Sequence, residues 1–159
     1  MKKRAQLMSH PFTMILTLVL AALIIFFGVS AIINLVKVSS QVDLASFRTS
    51  LQKEVDTYYN LDEGSQKIIT LQLPGEVNYI CFVDQSMHID YSLIPNGKEN
   101  LVKVITNKNV FPIPEIGQPS LDPINIEHLK PESNPLCIKT SSRLVAKITS
   151  QGTHVSISK

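Results

Sequence analysis

Six glycines, two cysteines and no acidic side chain in the first 36 positions are the scarcities that shape this 159-residue chain. So few glycines leave little material for a phosphate-cradling loop. No HExxH, GxSxG, Gly-rich phosphate loop or EF-hand pattern occurs. One pair of cysteines makes no zinc site without histidines at ligand spacing, and His10, His88, His128 and His154 do not supply it. His88 and Asp90 share one side of a predicted strand, a pairing that a solvated face explains as well as a ligand pair does. No asparagine has Ser or Thr two residues on, so there is no N-glycosylation acceptor. Positive charge is scarce too once it is located. The net charge of +2 divides into +3 over residues 1–36, from Lys2, Lys3 and Arg4, and −1 over the rest, which carries 12 basic and 13 acidic side chains. That balance excludes the basic patch that nucleic-acid phosphates require. With no nucleophile, base or metal cluster in sight, the chain reads as non-enzymatic and without a cofactor.

What is present is one long apolar run. Phe12 to Val36 holds 25 residues with no charged side chain and no histidine. As a helix it reaches roughly 37 Å at the usual rise per residue, enough to cross a hydrocarbon core of about 30 Å with some tilt. The expectation is a transmembrane helix over residues 11–37, with the lipid bilayer as its partner. The basic residues 1–10 stay in the cytoplasm by the positive-inside rule, and residues 38–159 lie outside the cell. A cleaved secretory signal peptide is the competing reading. Gly28, Ser30 and Ala31 offer small residues for a cut, but Ile32, Ile33, Leu35 and Val36 continue the apolar run past them.

Arg4-Ala5-Gln6-Leu7, followed by the uncut apolar stretch, resembles the processing site of archaeal type IV pilin precursors, the class III signal peptide. The resemblance covers about the first 35 residues. It implies cleavage between Ala5 and Gln6, with the helix retained to anchor or polymerise the subunit. Many pilins carry a glutamate five residues into the mature chain; His10 holds that position here. The layout is also similar to that of small single-pass surface proteins of archaea. Within the span Thr13, Thr17, Ala21, Gly28 and Ala31 fall within about 40° of one another's mean direction on a helix. Such a stripe of small residues lets helices approach closely in lipid, so it is the candidate face for self-association or for other membrane subunits. A lone anchor facing lipid all round is the alternative.

Beyond the span, Leu44, Phe47, Leu51, Val55 and Tyr58 recur at helical spacing, which predicts an amphipathic stalk helix over residues 38–60 closed by Gly64. No Pro or Gly interrupts residues 29–63, so span and stalk are expected to form one helix. From Ser65 the period changes to two. QKIITLQL, VNYICFVD, SMHIDYSLI, LVKVIT, LCIKTS, RLVAKITS and THVSIS read as short antiparallel strands, five to seven in all, with Gln151-Gly152 as a hairpin turn. Prolines in NVFPIPEI confine that segment to a sheet edge. Residues 112–135 hold six of the nine prolines and predict an extended loop that wraps the sheet or binds a partner. The fold class is therefore α+β: a long N-terminal transmembrane-plus-amphipathic helix, then an external β-rich domain over residues 61–159. Cys81 and Cys137 sit mid-strand in the region expected to be exported. A disulfide is the favoured reading, and two buried free thiols are the alternative.

Overall fold

The computed structural model describes residues 9–116 and 121–159; for residues 9–12, 33–40 and 96 it describes the backbone alone. The fold is α+β. Helix α1 runs from Ser9 to Tyr59, 51 residues without a break, as the absence of Pro and Gly after Gly28 allows. The chain divides into two compact units between Ser39 and Ser40. In the first, Thr13–Ile32 has a mean hydropathy of 2.8, and its side chains are exposed throughout.

The second unit begins with the amphipathic part of α1. Leu44, Phe47, Leu51 and Val55 are 6% exposed or less, and Tyr58 packs beside them half-buried. The 3-4-4 spacing thus becomes one buried ridge. The helix stops at Tyr59, five residues before Gly64. Asn60 turns its side-chain amide back onto the Asp56 carbonyl at 2.7 Å and satisfies one of the last open acceptors. Gly64 serves the next turn instead, with a φ of +89° that glycine adopts freely. Its N–H donates to the Ser150 carbonyl, and the Ser150 hydroxyl donates to the Leu61 carbonyl, stitching the helix exit to the sheet.

Among the described residues seven strands follow: β1 (Gln66–Gln72), β2 (Val77–Phe82), β3 (Val110–Pro114), β4 (Leu129–Pro131), β5 (Leu136–Lys139), β6 (Arg143–Ser150) and β7 (Val155–Ser158). They form two sheets rather than one, ordered β1-β6-β7-β4 and β3-β2-β5. Every pairing is antiparallel except β4 with β7. The proline-containing β3 takes an edge, where a missing N–H costs no ladder bond. The expected β6–β7 hairpin forms around Gln151-Gly152, closed by Gln151 N–H donating to the His154 carbonyl.

One apolar core joins the α1 ridge to inward residues of both sheets, among them Ile69, Leu144, Ile148, Val155 and Ile157, Ile80, Phe82 and Ile138. A second, smaller core lies on the other face of β2 and β3, built by Cys81, Val83, Phe111 and Ile113 with Ile89, Ile94 and Val102. Strand β2 is therefore buried on both sides. Alternation alone places Val77 with Tyr79, Cys81 and Val83, yet Val77 belongs to the first core. A register shift between Val77 and Tyr79 swaps its face. Buried Thr140 holds the irregularity, donating its hydroxyl to the Val77 carbonyl at 2.9 Å and its N–H to the Asn78 carbonyl at 2.8 Å.

Two predicted strands are not strands. SMHIDYSLI forms a turn and a 3-10 turn at Tyr91–Leu93, and LVKVIT lies in helix α2 (Glu99–Val104), its cap Ile105 and the turn that starts at Thr106. The cause in the first segment is local. Asp84 and Asp90 each head an Asp-x-Ser triplet, and each carboxylate accepts from both the N–H and the hydroxyl of the serine two residues on, at 2.6–3.1 Å. Those bonds offer the backbone an alternative to the ladder. In the second segment Leu101, Val102 and Ile105 face the smaller core while Val104 is 79% exposed, a helical arrangement.

Candidate functional site

Each sequence-derived site residue has a definite place or lies outside the described residues. Ala5 and Gln6, the candidate cleavage pair, lie outside. Thr13, Thr17, Ala21, Gly28 and Ala31 are exposed on α1, and a Cβ added at Gly28 would meet nothing within 4 Å. Cys81 and Cys137 face each other across β2 and β5 and are bonded as a disulfide; neither is free.

His88 does not lie in the strand predicted for it, while the described part of the proline-rich segment packs on the core, one of its two expected roles. His88 offers its backbone carbonyl to the Asn134 amide, and the Asp90 carboxylate accepts from the Ser92 N–H and hydroxyl at the head of the 3-10 turn. Among the described residues no group of three or more His, Cys, Asp or Glu is placed to hold a metal ion. His128, at a φ of 61°, stacks on Tyr59 with ring centroids 3.9 Å apart. The described residues of the 112–135 segment pack on the core: Leu121, Ile124, Ile126 and Leu129 are buried, and Ile124 bridges to Val110. Asn109 pins that wrap with its side-chain amide. It donates to the carbonyls of Ile126 and Leu129 and accepts from Ile126 N–H, at 2.7, 3.2 and 2.9 Å. Asn109→Ala leaves those backbone groups unpaired at a half-buried site and is expected to cost about 2 kcal/mol in urea denaturation.

Two places concentrate polar chemistry. The first is the Asp84 carboxylate, whose side chain is 10% exposed and 3.2 Å from the Lys130 ammonium, so that β4 is tied to the turn after β2. Asn134 reinforces the tie, accepting from Asp84 N–H and donating to the Asp84 carbonyl. Burial pushes the Asp84 carboxyl up, but the Ser86 hydroxyl and N–H and the Lys130 ammonium outweigh it and hold the group below the usual carboxylate range. A depressed folded-state value means stability that is present above the unfolded value of about 3.9 and lost as pH falls through the folded value. Asp84→Asn is therefore expected to lower the melting temperature at pH 7, and the gap to wild type should narrow below about pH 4. A gap that stays constant down to pH 3 would remove the charge from the account.

The second place is a groove of about 790 Å³ beside α1. One wall carries two rows at i, i+4 spacing: Arg48, Gln52, Asp56 and Asn60, then Ala45, Thr49, Lys53 and Thr57. Asn125 and Glu127, from the proline-rich segment, form the facing wall. Gln52 ties the walls together, accepting from Glu127 N–H at 2.9 Å while its own amide donates to the Glu127 carbonyl at 3.5 Å and to Asp56 at 2.7 Å. The Thr49 and Thr57 hydroxyls donate to helix carbonyls four residues back. Arg48 and Lys53 take part in neither of the ion pairs among the described residues, Glu54–Lys67 and Asp84–Lys130. The i, i+4 run flanking the apolar stripe was the available signal for this groove; what it faces depends on a contact 75 residues distant in sequence.

Compared with protein-family models, curated proteins and solved structures, the chain matches none.

Proposed function

We propose that this chain is a non-enzymatic, single-pass membrane-anchored surface protein, its N-terminus cytoplasmic and its β-rich domain outside the cell, acting as a pilin-like assembly subunit. The observation that carries the reading is Thr13–Ile32, long and apolar enough to cross a membrane, continuing in one helix into a ridge buried in a disulfide-bonded unit. A disulfide suits an oxidising exterior. Lys2, Lys3 and Arg4 before the span set the orientation. The small-residue face supplies a surface for packing against other membrane helices, and nucleic acid has no part. Intact-mass measurement of the membrane-extracted protein tests the processing step. The expected mass lacks Met1–Ala5, and an intact N-terminus would remove the processed-subunit reading while leaving the anchor. Protease added to intact cells should digest residues 40–159 and spare a fragment that holds the span.

A second reading, a tethered binding module, draws on the groove lined by Asn125 and Glu127. Deleting residues 112–135 is a poor test of it, because the deletion takes away β4 and buried Leu121, Ile124 and Ile126.

A further inference from the structure

The α1 groove has the chemistry of a polypeptide site. Its helix wall carries amides at Gln52 and Asn60, and its facing wall carries one at Asn125. A side-chain amide offers one donor and one acceptor in the same arrangement as a peptide unit. Gln52 already uses that match: it accepts from the N–H and donates to the carbonyl of a single residue, Glu127, which runs past the helix without being part of a strand pair. The wall from Arg48 to Asn60 spans roughly 18 Å at the helical rise, the length of about five extended residues. Arg48 stands toward one end of it, Lys53 and Asp56 further along, and Glu127 opposite. Arg48 has a planar fork of donors and no ion-pair partner among the described residues. With their hydroxyls turned to the helix backbone, Thr49 and Thr57 are left with methyl groups for an aliphatic side chain.

We infer that the groove receives a short extended polypeptide segment, read through its main chain by the Asn60 and Asn125 amides and oriented by a carboxylate on Arg48. This rests on the second functional reading and is independent of the membrane anchor, since every residue invoked lies between Ala45 and Glu127. The probe is a random hexapeptide library panned on the full chain in nanodiscs, against empty nanodiscs. Selected peptides are expected to carry Asp, Glu or a free C-terminus at one end, and to shift the side-chain amide NMR signals of Gln52, Asn60 and Asn125. Arg48→Glu should weaken binding at least tenfold, and Thr49→Trp, which fills the groove, should abolish it. Both positions are exposed, so both variants should keep the wild-type melting temperature. Enriched peptides that bind Arg48→Glu and Thr49→Trp as well as wild type, or that shift residues elsewhere, overturn the groove assignment but leave the binding-module reading standing. Succinate giving the same amide shifts as the peptides would overturn the polypeptide class. No enrichment over empty nanodiscs overturns the inference and removes the groove's support for the second reading.

Discussion

Loss of the Cys81–Cys137 bond is expected to lower the stability of residues 40–159 by about 4 kcal/mol, and the melting temperature by about 15 °C. The two cysteines are 56 positions apart. Between them lie α2, β3, β4, the 3-10 turn at Tyr91–Leu93 and the whole proline-rich wrap. Cutting the cross-link frees that loop in the unfolded chain, and the chain-entropy cost of closing it then falls on folding. Urea denaturation of wild type with and without dithiothreitol, beside the Cys81→Ala/Cys137→Ala variant, checks the magnitude. Reduction and substitution should agree closely, because Cys81 sits in the smaller core and alanine removes only its sulfur. A loss under 1 kcal/mol would mean that the β2–β5 pairing already restricts the loop in the unfolded ensemble.

The second large effect belongs to the helix ridge. Leu51→Ala should cost about 3 kcal/mol, the transfer free energy of the lost methyl groups plus the cavity they leave. Leu51 is fully buried among residues of α1 and both sheets, so no single neighbour can close the gap. Val42, 61% exposed on the same helix, provides the contrast: Val42→Ala should change stability by less than about 0.5 kcal/mol. Equal costs at both positions would mean that α1 does not use that ridge to hold the sheets.

These two features were legible in the sequence because their signals are strong where they stand. The ridge repeats over four helical turns without interruption, and Cys81 and Cys137 are the only cysteines in the chain. The strands β6 and β7 were legible as well, since buried residues alternate with more exposed ones along each, and β1 alternates from Ile69 onward. Legibility failed where one stretch served two masters. Ile80 and Phe82 alternate with Tyr79 and Cys81 because β2 divides two cores; no apolar-polar contrast tells its faces apart. Leu101, Val102, Val104 and Ile105 fit a short strand as well as a helical turn, and length alone does not arbitrate over six residues. The Asp-x-Ser pair at Asp84 and Asp90 was readable as turn chemistry, but the apolar alternation around it drew the segment toward a strand. The groove is different in kind. Its helix wall is periodic, yet its other wall is set by how Asn109 holds the wrap.

The parallel pairing of β4 with β7 fixes an order of events. Strand β7 occupies an interior place in its sheet, between β6 and β4, and carries fully buried Val155 and Ile157. Until the ribosome has passed Ser158, β4 has no partner in its sheet and the larger core has no lid over Leu129. A chain still under synthesis therefore keeps this sheet open. It closes only after the seventh strand arrives.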